Sequence, residues 1–241
     1  MKLSDFDVLS FDCYGTLIDW ETGIVRALKA WLEREGVTDD AGKVLEMFAR
    51  HETRQEEKNP RMLYRDLLGE LLKEMAAHWG VKCTDEDAEA FGRSVGDWPA
   101  FPDSPPSLRY LKQHYKLVIL SNVDRRSFKT SNERLGVAFD AIYTAEDIGS
   151  YKPDPANFRY MLQHLPQDLG MDSPKILHTA QSLFHDHVPA KSLGLPTMWI
   201  DRRHGREDGG ATPPPPPEAK PDFEAVSLAD LVAQHKSCLA G

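Results

Sequence analysis

Four short polar sites stand out because each follows an apolar, strand-like run or the loop behind one: Asp12, the pair Ser121-Asn122, Lys152, and the segment from Gln181 to Asp186. The run from Phe6 to Phe11 ends abruptly in Asp12, and the turn Cys13-Tyr14-Gly15-Thr16 follows at once. This reads as a buried strand delivering a carboxylate to its C-terminal edge. In open α/β sheets that edge is where ligands sit. An Asp ahead of a Gly turn can also serve only as a turn residue, so the weight falls on convergence. Parallel strands place their C-terminal ends along one rim, and four such sites can meet there although they span most of the chain. Two carboxylates, one ammonium and several hydroxyl and amide groups would then share one site, which suits a small anionic substrate.

The elements that must position these groups fall into two patterns. Residues 20–101 carry helical periodicity and almost no strand signal. Ile24, Val25, Leu28, Trp31 and Leu32 mark one helix, Val44, Leu45 and Phe48 a second, and Leu63, Leu67, Leu68, Leu71, Leu72 and Met75 a third. Thr84 ahead of Asp85, Glu86 and Asp87 predicts a fourth helix start. Trp98-Pro99-Ala100-Phe101-Pro102 is expected to be the hinge leading out of this insert. From there strands and helices alternate. Strands are predicted at 116–121, 141–144, 175–178, 197–200 and 223–226. Helices are predicted around Leu108-Leu111, at 128–135, 154–165, 188–193 and 228–234. The Pro213–Pro217 run behind Gly209-Gly210 is expected to be an extended surface loop. Alternation of this kind implies a Rossmann-like α/β core with a parallel sheet. The expected division is a core of residues 1–19 and 102–241, with a helical cap domain of residues 20–101 inserted between the first and second polar sites.

Composition narrows the function. The 241 residues carry a net charge of −9, which disfavours nucleic acid or an anionic membrane as a main partner. No apolar stretch approaches the roughly 20 residues of a membrane span, and the acids of MKLSDFDV do not suit a signal peptide. Three scattered cysteines, Cys13, Cys83 and Cys238, fit a reducing cytoplasm and form no metal-type spacing. His185 and His187 flank Asp186, but no further His cluster accompanies them, so no metal site is expected there. His178 is expected to be a hydrogen-bonded core residue at a strand end.

The constellation resembles the haloacid dehalogenase superfamily over essentially the whole chain. Asp12 matches its nucleophile, Ser121 and Asn122 its second motif, Lys152 in Tyr151-Lys152-Pro153-Asp154-Pro155 its third, and Asp186 the acid of its fourth. Phosphotransferases of that superfamily carry a second Asp two residues after the nucleophile. Here Tyr14 stands at that place, as in the L-2-haloacid dehalogenase branch. A Tyr, with an ordinary pKa of about 10, does not readily protonate an alcohol leaving group at neutral pH, and a halide leaving group needs no proton.

The resemblance implies attack by ionised Asp12 on the halogen-bearing carbon of a short 2-haloacid, followed by hydrolysis of the aspartyl ester to a 2-hydroxy acid. It implies that Lys152 holds Asp12 ionised and that Thr16 orients it. Tyr14, Ser121, Asn122 and Ser182 would contact substrate. Arg50, on the second helix of the insert, would face the departing halide, with Arg54, Arg61 and Arg65 as its neighbours. No cofactor and no metal are implied, and a homodimer is. The chain departs from the pattern at 180–187, where the acid is preceded by Gln181-Ser182-Leu183-Phe184-His185, and at Phe158, where a Tyr is frequent. The competing readings are a Mg²⁺-dependent small-molecule phosphatase of the same fold, a hydrolase of another small 2-carboxylated electrophile such as a strained ring, and a binding module on a retired catalytic fold.

Overall fold

The computed structural model describes residues 1–205, 211–212 and 220–240. Its centre is a six-stranded, wholly parallel sheet in the order β3-β2-β1-β4-β5-β6. The strands are β1 Val8–Phe11, β2 Lys116–Ser121, β3 Ala141–Thr144, β4 Ile176–Ala180, β5 Thr197–Ile200 and β6 Phe223–Ala225. All four residues of β1 are buried because β2 and β4 flank it and helices cover both faces. That is why its sequence is an apolar run rather than an alternation. The chain builds outward from β1 through β2 and β3, then crosses to β4 on the other side. The strand order therefore reverses between β1 and β4, and ligands of open α/β sheets bind at that reversal.

Residues 20–101, between β1 and β2, hold four α-helices: α1 Trp20–Glu35, α2 Ala41–Lys58, α3 Tyr64–Trp79 and α4 Asp85–Arg93. Their starts follow capping chemistry. Asp19, Asp40 and Thr84 accept the N–H groups of Thr22, Lys43 and Asp87, satisfying amides that have no partner within the helix. Gly36 and Gly80 end α1 and α3 in the left-handed conformation. At Gly92 a Cβ would lie 2.1 Å from the Arg65 carbonyl oxygen, so α4 can approach α3 this closely only without a side chain there.

The chain leaves for these helices and returns from them along paired backbone. Ile18 bridges Ala100, Asp19 N–H donates to the Pro99 carbonyl, and Phe101 N–H donates to that of Leu17. The Trp98 ring, only 1% exposed, lies over Gly23. The expected hinge is thus a packed, hydrogen-bonded stalk.

After these four helices come α5 Ser104–Leu111, ahead of β2, and then α6 Arg125–Leu135, α7 Ala145–Ile148, α8 Ala156–Leu169, α9 Val188–Ser192 and α10 Leu228–Ala240. Several bounds differ from the sequence reading. β1 is two residues shorter, since Leu3–Asp5 forms a tight turn of its own. α8 starts later, because Asp154 accepts the Ala156 N–H in a turn, and it continues past Pro166. β4 starts later and runs two residues further, so His178 sits mid-strand with both ring nitrogens bonded. Gly209-Gly210 and Pro213–Pro217 lie outside the described residues. Among the described residues no helix is long and apolar enough to cross a membrane.

Candidate active site

Asp12 leaves the end of β1 with both carboxylate oxygens held. Lys152 Nζ donates to Oδ1 at 2.8 Å, and Thr16 Oγ1 donates to Oδ2 at 2.8 Å. The Thr16 hydroxyl is aimed at Asp12 because its oxygen already accepts the Gln181 N–H at 2.9 Å. Lys152 is 1% exposed and donates twice more, to Asp186 Oδ1 at 2.6 Å and to the Leu120 carbonyl at 3.0 Å. Its ammonium therefore lies between two buried carboxylates. Burial disfavours its charge, but Asp12 and Asp186 outweigh that and raise its pKa above the ordinary lysine range. Burial likewise opposes ionisation of Asp186, yet Lys152 and a hydrogen bond with His178 Nε2 at 2.9 Å hold that carboxyl well below the usual range. Burial raises Asp12, with Lys152 opposing the rise.

The neighbouring groups have settled roles. Both Asn122 amide hydrogens are used, one on Glu56 Oε1 at 3.0 Å and one on the Lys152 carbonyl at 2.9 Å. Its oxygen accepts the Lys152 N–H at 2.7 Å. The Asn122 side chain is thus a strut between the end of β2 and the Lys152 loop and has no donor left for a substrate. Neither Ser121 nor Asn122 caps α6, because Asp124 does, accepting the Ser127 N–H. Ser121 Oγ is buried on the cavity wall with no partner among the described residues. Ser182 Oγ accepts the His185 N–H and opens a five-residue π-type turn, Leu183–His187, that carries Asp186 inward. Tyr14 Oη pairs with Ser131 Oγ at 2.9 Å. Its ring lies between Tyr64 and Trp98, with centroids at 6.4 and 5.7 Å. Burial pushes its pKa well above the usual tyrosine value.

The structure therefore brings together Asp12, Tyr14, Ser121, Asn122, Lys152, Ser182 and Asp186 around one cavity of about 40 Å³, with Thr16 directly behind Asp12. It does not bring Arg50 there. Arg50 is exposed, and none of Arg50, Arg54, Arg61 and Arg65 lines this cavity. The cause is helical geometry. Position 50 lies about 200° around α2 from buried Phe48, on the opposite face. The insert's side of the cavity is formed instead by Trp20 of α1, Glu52 and Glu56 of α2 and Tyr64 of α3. Both glutamates are buried, at 5% and 7% exposure. Tyr64 Oη donates to Glu52 Oε1 at 2.5 Å. Burial pushes Glu52 up to about 8, with the Tyr64 hydrogen bond opposing, and raises Glu56 well above the ordinary value, with Glu52 adding to the rise.

Sequence reasoning missed these residues, although a signal was present. The buried stripe Val44-Phe48 continues at the same four-residue spacing into Glu52 and Glu56. His185 is also on the cavity wall, its pKa lowered by burial to about 4. A larger cavity of about 460 Å³ shares Trp20 and Gln181 with the small one. A divalent ion finds an incomplete set of ligands here. The Lys152 ammonium sits between Asp12 and Asp186, and Tyr14 offers a phenol in place of a carboxylate.

A family model described as haloacid dehalogenase-like hydrolase matches residues 6–172, and the chain belongs to that family. An (S)-2-haloacid dehalogenase of Pseudomonas putida is 24% identical over 163 residues, and the chain spans 66% of that relative's length with 66% of its own. (S)-2-haloacid dehalogenase H-109 of the same species is 24% identical over 208 residues, covering 80% of this chain and 84% of the relative. The crystal structure of a defluorinating L-2-haloacid dehalogenase superposes with a TM-score of 0.78 at 23% identity, covering 96% of this chain and 95% of the other, a likeness of fold.

Proposed function

We propose that this member of the haloacid dehalogenase-like hydrolases cleaves the carbon–halogen bond of short 2-haloacids through an aspartyl ester on Asp12, giving 2-hydroxy acids. The observation that carries the reading is a buried Asp12 paired with Lys152 and Thr16, with Tyr14 locked against Ser131 two residues later. A carboxylate attacks carbon poorly in water because solvent holds its lone pairs. Here burial removes solvent, while Lys152 keeps the group ionised and Thr16 fixes its plane. Asp12 displaces halide from carbon, and the bond electrons leave with the halide. Water then adds to the ester carbonyl carbon, the 2-hydroxy acid's oxygen leaves with the bond electrons and takes one water proton, the other proton passes to solvent, and the carboxylate of Asp12 is restored with one oxygen from that water. Ser121 Oγ, buried and unpartnered on the cavity wall, supplies a donor to the substrate carboxylate. In this reading residues 20–101 act as a cap over the core and contribute Glu52, Glu56 and Tyr64. The cap glutamates also favour a second reading within the same chemistry, a 2-carboxylated strained ring, since they carry protons that a halide does not need.

The test is a single turnover of excess enzyme with (S)-2-chloropropionate in H₂¹⁸O. Label should enter Asp12, and the first product should carry ordinary oxygen. Asp12→Asn should form no adduct while keeping its fold, and EDTA should leave halide release unchanged. Label in the first-turnover product would refute the ester. Mg²⁺-dependent hydrolysis of p-nitrophenyl phosphate, with no halide released from any haloacid, would replace this reading with the phosphatase.

A further inference from the structure

One buried carboxyl on the cavity wall has no cationic partner among the described residues. Asp12 and Asp186 share the Lys152 charge and are acceptors. Tyr14, which occupies the position two residues after Asp12, is locked against Ser131 and holds its proton tightly. His185 is neutral at pH 7. Glu52 differs from all of these. It lines the same cavity as Asp12 and is 5% exposed, and among the described residues no Lys, Arg or His side chain pairs with it. An isolated buried carboxylate is costly to ionise, so the group keeps its proton instead. Oε1 accepts the Tyr64 hydroxyl, and Oε2 has no hydrogen-bond partner among the described residues. The proton therefore resides on the free oxygen of a carboxyl whose other oxygen is anchored.

We propose that Glu52 is the acid of this site and that the substrate is an electrophile whose leaving atom is basic: the ring oxygen of a strained 2-carboxylated ring foremost, and fluoride second. The proposal rests on the Asp12 ester. In the first step the Asp12 oxygen–carbon bond forms and the carbon–oxygen bond of the ring breaks. The bond electrons go to the ring oxygen, which takes the Glu52 proton and becomes a hydroxyl. In the second step water adds to the ester carbonyl carbon. One water proton returns to Glu52, the other protonates the departing alkoxide, and Asp12 is a carboxylate again. The sum is ring plus water to diol. For fluoride the same carboxyl donates its hydrogen to the leaving atom. Bromide, the anion of a far stronger acid, takes no proton and draws little from Glu52.

The groups that face Glu52 define its pH response. They are Tyr64 on α3, Glu56 on α2, Asp12 and Tyr14 after β1, Tyr151 and Lys152 between α7 and α8, and Asp186 and His185 after β4. Tyr64 stabilises the ionised form through its hydrogen bond, whereas burial and Asp12 oppose ionisation.

The experiment compares oxirane-2-carboxylate, fluoroacetate and bromoacetate as substrates of wild type, Glu52→Gln and Tyr64→Phe, with Asp12 adduct formation followed by mass spectrometry. Ring opening and fluoride release by the wild type should fall about tenfold per pH unit above the Glu52 pKa, while bromide release should not. Glu52→Gln, which keeps shape and the acceptor for Tyr64, should lower ring opening relative to bromide release by roughly 100-fold, the scale of general acid catalysis. Tyr64→Phe should move the alkaline limb to higher pH, and it decides the matter should Glu52→Gln not fold. Adduct formation from bromoacetate with an equal loss across all three leaving groups, or with an alkaline limb that Tyr64→Phe leaves in place, overturns this proposal alone. No Asp12 adduct from any of the three overturns the ester reading and this proposal with it.

Discussion

Replacing Lys152 with methionine removes the one cation that two buried carboxylates share. Its ammonium donates to Asp12 at 2.8 Å, to Asp186 at 2.6 Å and to the Leu120 carbonyl at 3.0 Å. Methionine is an unbranched apolar chain that adapts to its surroundings, so the change is chiefly one of charge. Breaking a buried ion pair from one side costs about 3–5 kcal/mol. The loss stays within that range because Asp12 and Asp186 can share one proton once the ammonium is gone. The sign of the pH dependence follows from the shifts. Asp186 is lowered in the fold, so its contribution is present above the ordinary carboxylate pKa and is lost as pH falls. Lys152 is raised, so its contribution is present below the ordinary lysine pKa and is lost as pH rises. The variant's deficit in a denaturant titration is therefore greatest between about pH 5 and pH 10 and shrinks beyond either end. The shared proton also sits on the nucleophile for part of the time. Adduct formation with excess bromoacetate, followed by quench-flow and intact-mass spectrometry, should fall by roughly 100-fold at pH 6 and recover about tenfold per pH unit. A variant that alkylates within about threefold of wild type, with a flat profile from pH 5 to 9, would refute the charge-pairing argument.

Two further outcomes follow from the same geometry. Asn122→Ala deletes three hydrogen bonds; at about 1 kcal/mol each the denaturation midpoint should report a loss of ~3 kcal/mol, and bromoacetate alkylation should slow because the Lys152 loop loses its strut. Glu52 is raised in the fold to about 8, so its contribution is fully present below the ordinary glutamate pKa and is lost as pH rises through about 8. Glu52→Gln should therefore gain on wild type by ~3 kcal/mol or more between pH 4 and pH 9, and equal relative stability at both pH values would show that Glu52 ionises freely.

The sheet and the core side of the site were legible because strand ends announce themselves. An apolar run that stops at Asp12, Ser121 or the Gln181–Asp186 segment marks a rim position without any knowledge of the partner strands. The insert's side was harder. Its residues lie on a helix whose apolar stripe turns polar halfway, and a reading that looks for hydrophobic periodicity stops where Val44 and Phe48 give way to Glu52 and Glu56. Arg50 was implied by the resemblance alone, and a two-residue step from Phe48 carries it to the exposed face of the helix. Asn122 shows another limit. An amide at a strand end is recognisable as a site residue, but its choice between substrate and the Lys152 backbone depends on a loop thirty residues away.

The balance of charge in the cavity constrains what can react there. With Asp12 ionised, the core contributes two carboxylates, one ammonium and the Tyr14 phenol, and the insert contributes the Tyr64 phenol and two buried carboxyls raised above the usual range. The sum is one negative charge before a substrate enters. An anionic substrate must then be drawn by hydrogen-bond donors such as Ser121 Oγ rather than by excess positive charge. Ionising Glu52 would remove the proton that a basic leaving atom takes, while bromide, which takes none, would depart as before. The acid step thus depends on a proton that burial and the nearby Asp12 charge keep in place against the pull of the Tyr64 hydrogen bond.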